Sequence, residues 1–232
     1  INDILDLSKI EAGRITLEDV PFGLRDTVAA VHHAYLPLAE AKGLAFVLSV
    51  ADEVPAAVRG DPLRVRQILT NFVANAIKFT ERGSVTLRCR VQQESAASVW
   101  LRFEVEDTGI GIAPDVMPRL FGAFEQADRS STRSAGGTGL GLAITRKLAT
   151  LMGGEAGASS RPGSGSTFWF TARLQRGHGE RAAMSIQLLD YPSRFILAAL
   201  RIGPMGIVFQ RVNALVPAHT ACTQASICCD QL

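Results

Sequence analysis

Gln67, Asn71, Asn75 and Lys78 are spaced four, four and three residues apart within the segment DPLRVRQILTNFVANAIKFT. That spacing puts all four on one face of a helix. Asp61-Pro62 reads as the helix start, an acidic N-cap with proline at the first position, so a helix is predicted over 61–79. Val65, Ile68, Leu69, Phe72, Ala76 and Phe79 form a second, apolar stripe about a third of a turn away. The helix should therefore lay its apolar side on a sheet and turn a row of amides and one ammonium elsewhere. A solvated face is the ordinary explanation of a polar stripe. Solvated faces more naturally carry Glu and Lys, however, because asparagine is a poor interior helix residue. Two asparagines one turn apart point instead to ligation, since amide oxygens suit Mg²⁺ and a lysine suits a phosphate.

Two further segments carry possible chemistry. In Asp107-Thr108-Gly109-Ile110-Gly111-Ile112 a carboxylate stands where a strand ends and a loop begins. It can accept a hydrogen bond from an exocyclic amine, and the glycines let a flat base approach the backbone. Asp-Thr-Gly also occurs as a simple turn. Gly136-Gly137-Thr138-Gly139-Leu140-Gly141-Leu142 leads into a predicted helix. Glycine-rich backbone at a helix N-terminus offers unpaired N–H groups to phosphate oxygens. It is not a P-loop, which needs Lys-Ser/Thr after its last glycine. Nor is it a dinucleotide fingerprint, which needs a preceding strand and G-x-G-x-x-G spacing.

The elements that must position these residues follow from periodicity. Residues 1–12 read as the end of an amphipathic helix with Ile1, Ile4, Leu5 and Ser8 on one side. A strand over 15–20, a helix over 24–41 closed by Lys42-Gly43, and a strand over 44–50 follow. Residues 83–91 and 99–106 alternate as two antiparallel strands. Residues 108–137, rich in Gly, Ser, Thr and Asp, form a loop long enough to be functional. A helix over 140–152 and strands over 155–159 and 166–174 close an α/β sandwich, a mixed sheet with helices on one face.

In this order the three segments resemble the N box and the two glycine boxes of histidine kinase catalytic domains, members of the GHKL superfamily with its Bergerat α/β sandwich. LFGAFEQAD resembles the family's F box, GSGSTFWF its last glycine-rich turn and strand, and LDLSKIEAG the end of the preceding dimerisation helix. The likeness covers residues 1–175.

The resemblance implies that Asn75 coordinates Mg²⁺, that Asn71 lies close to the triphosphate of ATP, and that Lys78 contacts phosphate oxygens. It implies that Asp107 binds the adenine amino group, with Gly109 and Gly111 shaping that pocket. Gly137, Thr138, Gly139, Leu140 and Gly141 would line the phosphates beneath a lid over 113–135, anchored by Phe121 and Phe124, with Arg133 as a lid contact to phosphate. Hydrolytic relatives carry a glutamate where Asn71 stands, and an amide cannot serve as that base. The implied activity is γ-phosphoryl donation to a histidine, resting on positioning and charge neutralisation. Its implied partners are the parent's dimerisation and histidine-phosphotransfer domain and a response-regulator receiver. Departures from the family fall in the lid, where Ala135 replaces an aromatic residue and Gly122-Ala123 replaces Glu-Pro. They leave open a regulatory nucleotide-binding module without transfer activity; a hydrolase is the third alternative, opposed by Asn71.

Composition excludes other classes. A net charge of +2 in 232 residues points to no polyanionic partner. No segment approaches the ~18 uninterrupted apolar residues of a membrane span. INDILDLSKIEAG has neither initiator methionine nor signal-peptide pattern, so the chain reads as a fragment from which the phosphoaccepting histidine is missing. His32-His33 lie in the wrong helix and wrong context for that acceptor. Cys89, Cys222, Cys228 and Cys229 match no zinc spacing, and a reduced, cytoplasmic setting is expected, the parent being open to anchoring in the inner membrane. Three domains are expected: 1–13, the helix end; 14–176, the ATP-binding domain; and 177–232, a tail without lysine or sustained period. The tail reads either as a linker and partial extension or as sequence foreign to the gene.

Overall fold

A computed structural model describes residues 2–125 and 139–177, together with three strands further on. In chain order these are α1 (Asn2–Glu11), β1 (Val20–Gly23), α2 (Leu24–Ala41), β2 (Ala45–Val50), β3 (Ala57–Gly60), α3 (Pro62–Phe79), β4 (Ser84–Glu94) and β5 (Ser98–Asp107). A 3-10 turn (Met117–Arg119) precedes α4 (Gly141–Leu151), β6 (Ala156–Arg161) and β7 (Gly165–Arg176). The chain divides into two compact units, Ile1–Gly179 and Glu180–Leu232. In the second unit, β8 (Ser185–Leu189), β9 (Ile196–Arg201) and β10 (Ile207–Val212) pair antiparallel in the order β10-β9-β8.

The first unit is a seven-stranded mixed sheet, in the order β1-β3-β7-β5-β4-β2 with β6 also on β7. Only β2–β4 is parallel; β5–β7 runs antiparallel along the full length of β5, from Ser98↔Gln175 to Asp107↔Ser166. One sheet face is apolar: Val85, Leu87, Val99, Leu101, Phe103, Val105, Phe170 and Leu174 are buried there beneath the helices. The other face carries cross-strand pairs, Arg88 with Glu106 and Arg90 with Glu104, and the Arg102 guanidinium lies 4.0 Å above the Trp169 ring. The α/β sandwich expected from periodicity is therefore the observed one.

α3 is seated by aromatic packing. Its Phe72 ring lies 5.5 Å from Phe168 and 6.2 Å from Phe170, which stacks on Phe103 at 4.6 Å. Asp61 caps the helix start, accepting from the Arg64 N–H at 3.0 Å. At the other end the Lys42 ammonium donates to the carbonyls of Ile77, Lys78 and Thr80 at 2.6, 3.0 and 2.8 Å. These carbonyls have no partner within the helix, and a cation there also complements the helix dipole. Lys42 thus does more than close α2.

Several details differ from expectation. Residues 15–19 form no strand; β1 begins at Val20 and pairs only with β3, where Pro21 is tolerated at the sheet edge. The four-residue β3 was too short to show a period. Phe79 is 44% exposed, and Val73 and Ile77 complete the buried stripe in its place. α1 turns Leu7 and Ile10 to the domain, while Ile4 and Leu5 point outward. Phe72→Ala should lower stability by about 3–5 kcal/mol in urea unfolding; a loss below 1 kcal/mol would mean that the aromatic packing does not seat α3.

Candidate functional site

The amide pair predicted on α3 is oriented by its neighbours. The Asn71 Nδ2 donates to Thr145 Oγ1 of α4 at 2.9 Å, and Asn71 Oδ1 accepts from Asn75 Nδ2 at 3.2 Å. With its nitrogen engaged, Asn75 has Oδ1 as its remaining acceptor. Gly141, the first residue of α4, faces this pair: a Cβ there would stand 2.6 Å from Asn71 Oδ1. Leu140 just before it is buried, and its carbonyl accepts the first helical bond, from Ile144 at 2.9 Å. The amide row and the glycine-led helix, 70 residues apart in sequence, are therefore in direct contact. Gln67 belongs elsewhere, bonded to Asp6 of α1 at 2.9 Å.

Asp107 ends β5 at only 5% exposure. Its Oδ1 accepts from the Gly109 N–H at 2.8 Å, fixing the carboxylate as the turn leaves the sheet. Burial pushes the carboxyl above the ordinary aspartate value, and the charge of Glu106 adds to the rise, against the backbone N–H groups of Gly109 and Ser166. Gly109 lies against the end of α3, where a Cβ would meet the Phe79 carbonyl at 2.4 Å. Gly111 adopts φ +70° with the Arg161 carbonyl 2.1 Å from any Cβ, so only glycine fits. The loop is tied to the β6–β7 hairpin by Gly163 N–H to Ile110 O at 2.7 Å and Ile112 N–H to Ser160 Oγ at 2.8 Å.

Lys78 is exposed at the last turn of α3, its ammonium 4.9 Å from the Phe79 ring centre. Gly139, at φ +69°, accepts from the Phe124 N–H at 3.1 Å, which joins the glycine-rich turn to the segment after the 3-10 turn. Phe121 packs against the core as expected, but Phe124 is 70% exposed and anchors nothing by burial. Its backbone has φ +63°, in the left-handed region. Arg133, Gly137 and Thr138 lie outside the described residues, as does Ala135.

Sequence reasoning missed Thr145, although a threonine among the buried Ala143, Ile144, Leu148 and Ala149 was a visible signal. It also missed Ser160, which bridges the loop after Asp107 to Gly165 O at 2.9 Å. His32 is used in packing, its Nε2 3.1 Å from Phe46 O. The Cys89 thiol, pushed up to about 12 by burial against the opposing Arg25 charge, is an inert core group. A groove of about 450 Å³ bordered by Ile10, Phe121 and Leu151 lies apart from the Asn71–Asn75 pair. Among the described residues no cluster of His, Cys, Asp or Glu could hold a metal, and no helix is long and apolar enough to cross a membrane.

A one-faced mixed sheet joins an amide pair, a glycine-led helix and a buried carboxylate at its edge. The chain belongs to the family of histidine kinase-, DNA gyrase B- and HSP90-like ATPases, whose pattern matches residues 60–176. It is 48% identical over 174 residues to the signal transduction histidine-protein kinase BarA of Escherichia coli (strain K12), which covers 75% of this chain and 19% of that protein. The chain thus spans about a fifth of the length of the curated relatives it matches. Among solved structures it resembles full-length ShkA in complex with AMPPNP, at 37% identity and TM-score 0.66, covering 78% of this chain and 37% of that one. The catalytic domain of histidine kinase ThkA shares the fold at 24% identity and TM-score 0.53, over 67% of this chain and 95% of that domain.

Two outcomes test this geometry. Gly141→Ala should cost about 1–3 kcal/mol in urea unfolding, by driving a methyl into the Asn71 amide; an unchanged midpoint would show that the helices are not held this close. Asp107 stabilises the ligand-free fold fully only below the ordinary aspartate range, and that contribution is lost as pH rises through its raised pKa. Asp107→Asn should therefore gain on the parent in unfolding free energy between pH 4 and pH 7. A constant gap, or one that moves the other way, would contradict the burial argument.

Proposed function

We propose that residues 14–176 are the ATP-binding catalytic domain of a sensor histidine kinase, donating the γ-phosphate to a histidine outside this chain. Residues 1–13 are then the end of the dimerisation helix, and residues 177–232 are not part of the catalytic unit. The observation that carries the reading is the Asn71–Asn75 amide pair packed on the glycine that opens α4.

The adenine would enter beside Asp107, whose buried carboxylate accepts from the exocyclic amine while Gly109 and Gly111 leave the backbone bare for a flat ring. Gly139, Leu140 and Gly141 would present the start of α4 to the phosphates, since helix N-termini favour anions. Asn75, through Oδ1, is the residue that would hold Mg²⁺, a hard cation suited to amide oxygen; the bound ion would neutralise phosphate charge. Lys78 would approach the phosphates from the exposed end of α3. Arg133, Gly137 and Thr138 would complete the phosphate side.

Asn71 explains why a donor rather than a hydrolase is proposed. Its amide is held between Thr145 and Asn75 and carries no basic group to deprotonate water. The γ-phosphate then survives until a histidine attacks in line, a reaction that depends on positioning. The partners are the dimerisation and histidine-phosphotransfer domain of the parent and, downstream, a response-regulator receiver. A cytoplasmic site of action follows from the supply of ATP.

Calorimetric titration with ATP and Mg²⁺ tests the reading. The chain should bind in a magnesium-dependent manner, and Asn75→Ala and Asp107→Asn should each weaken binding about tenfold or more, the loss of one strong polar contact. Absence of binding by the parent chain would overturn the proposal. Sustained ATP turnover without any histidine acceptor would favour the hydrolase instead.

A further inference from the structure

We infer that Asp6, on α1, is a positioning residue for the Asn71–Asn75 pair. Asp6 Oδ2 accepts from Gln67 Nε2 at 2.9 Å, across 61 residues of sequence. Gln67 Oε1 in turn accepts from Arg64 Nη1 at 2.7 Å, and that nitrogen stands 3.9 Å from Asp6 Oδ2. Arg64 Nε, buried and without a hydrogen-bond partner, lies 4.0 Å from Asp61 Oδ2. Asp61 caps α3 with one oxygen and accepts from the Glu18 N–H at 3.2 Å with the other. Two carboxylates, one guanidinium and one amide thus clamp the first two turns of α3 to α1 and to the segment that follows it.

The clamp is directional where the remaining α1 contacts are not. Leu7 and Ile10 hold α1 to the domain by apolar packing, which tolerates rotation and sliding. The hydrogen bond to the Asp6 carboxylate oxygen does not, because it weakens steeply with angle. One residue of register change in α1 moves Asp6 by about 100° around the helix and carries its carboxylate away from Gln67. Gln67 stands one turn before Asn71 on the same face, and Asn71 one turn before Asn75. The setting of α1 is therefore held by the same helix face that carries the candidate ligands. Ile4 and Leu5, 53% and 52% exposed, leave apolar surface on α1 outside this clamp.

The functional consequence rests on the nucleotide-site reading, whereas the coupling itself rests on geometry alone. The experiment separates them. In ¹⁵N-labelled chain, Asp6→Ala and Gln67→Ala should each shift the side-chain amide resonances of Asn71 and Asn75 without nucleotide present. Each should also weaken Mg-ATP binding by up to about tenfold, and the double variant should bind no more weakly than either single one. Asp6→Asn, which keeps an oxygen for Gln67, should retain most of the affinity; urea unfolding confirms that each variant is folded. Unmoved Asn71 and Asn75 resonances, or losses that simply add in the double variant, would overturn the inference. If the parent chain binds no Mg-ATP, the proposed function falls, and the amide resonances alone decide whether Asp6 positions the pair.

Discussion

Everything at the site depends on one helix being buried on one side while it stays polar on another. Phe72 supplies the constraint. Wedged among Phe168 and Phe170, it fixes the rotation of α3 on the sheet, and its neighbour Asn71 is thereby aimed at α4 rather than into the core or away from the protein. The same seating brings the end of the helix against Gly109, so that one rigid element carries the amide pair and touches both the glycine-led helix and the loop after Asp107. A surface helix without such an anchor could rotate and lose all three contacts together.

Two kinds of tension are built into this arrangement. The Asn71–Gly141 contact leaves no room for a side chain, which makes helix α4 start on its poorest helix former. Asp107 is kept out of water with a raised proton affinity, an unfavourable state for the ligand-free fold. Both features work against stability, the pattern expected where binding, not folding, has set the residue. The outer sheet face is different: its arginines and glutamates pair with one another, and Glu106 acts on the buried Asp107 through its charge.

Much of this was legible in the sequence because the signals were local. α3 declared itself through Asp61-Pro62, its apolar stripe and its amide row, and the glycine segments stood out by composition. What was illegible involved distant partners. Gln67 was grouped with the asparagines because its spacing fits, yet its partner Asp6 lies far upstream. Lys42 read as the end of one helix and turns out to cap another. Alternation over 15–20 imitated a strand, whereas the real one, Val-Pro-Phe-Gly, looks like a turn and survives only because it sits at an edge with β3 as its single neighbour. Phe124, an anchor by family resemblance, stands exposed at a positive φ.

The path between β5 and α4 has a consequence for how the family can vary. The chain makes an excursion from Asp107, where β5 leaves the sheet, to Gly141, where α4 is held against Asn71; β6 and β7 then return to the sheet and set Ser166 directly opposite Asp107. Closing such an excursion costs entropy that grows only with the logarithm of its length, so even doubling it adds about 0.6 kcal/mol. Length between β5 and α4 is therefore thermodynamically inexpensive, while the few atoms at either end of it are tightly confined. Insertions and deletions can accumulate in the cover of the site without disturbing its floor. Descent is free to reshape the cover while the contacts at Asp107 and Gly141 stay in place.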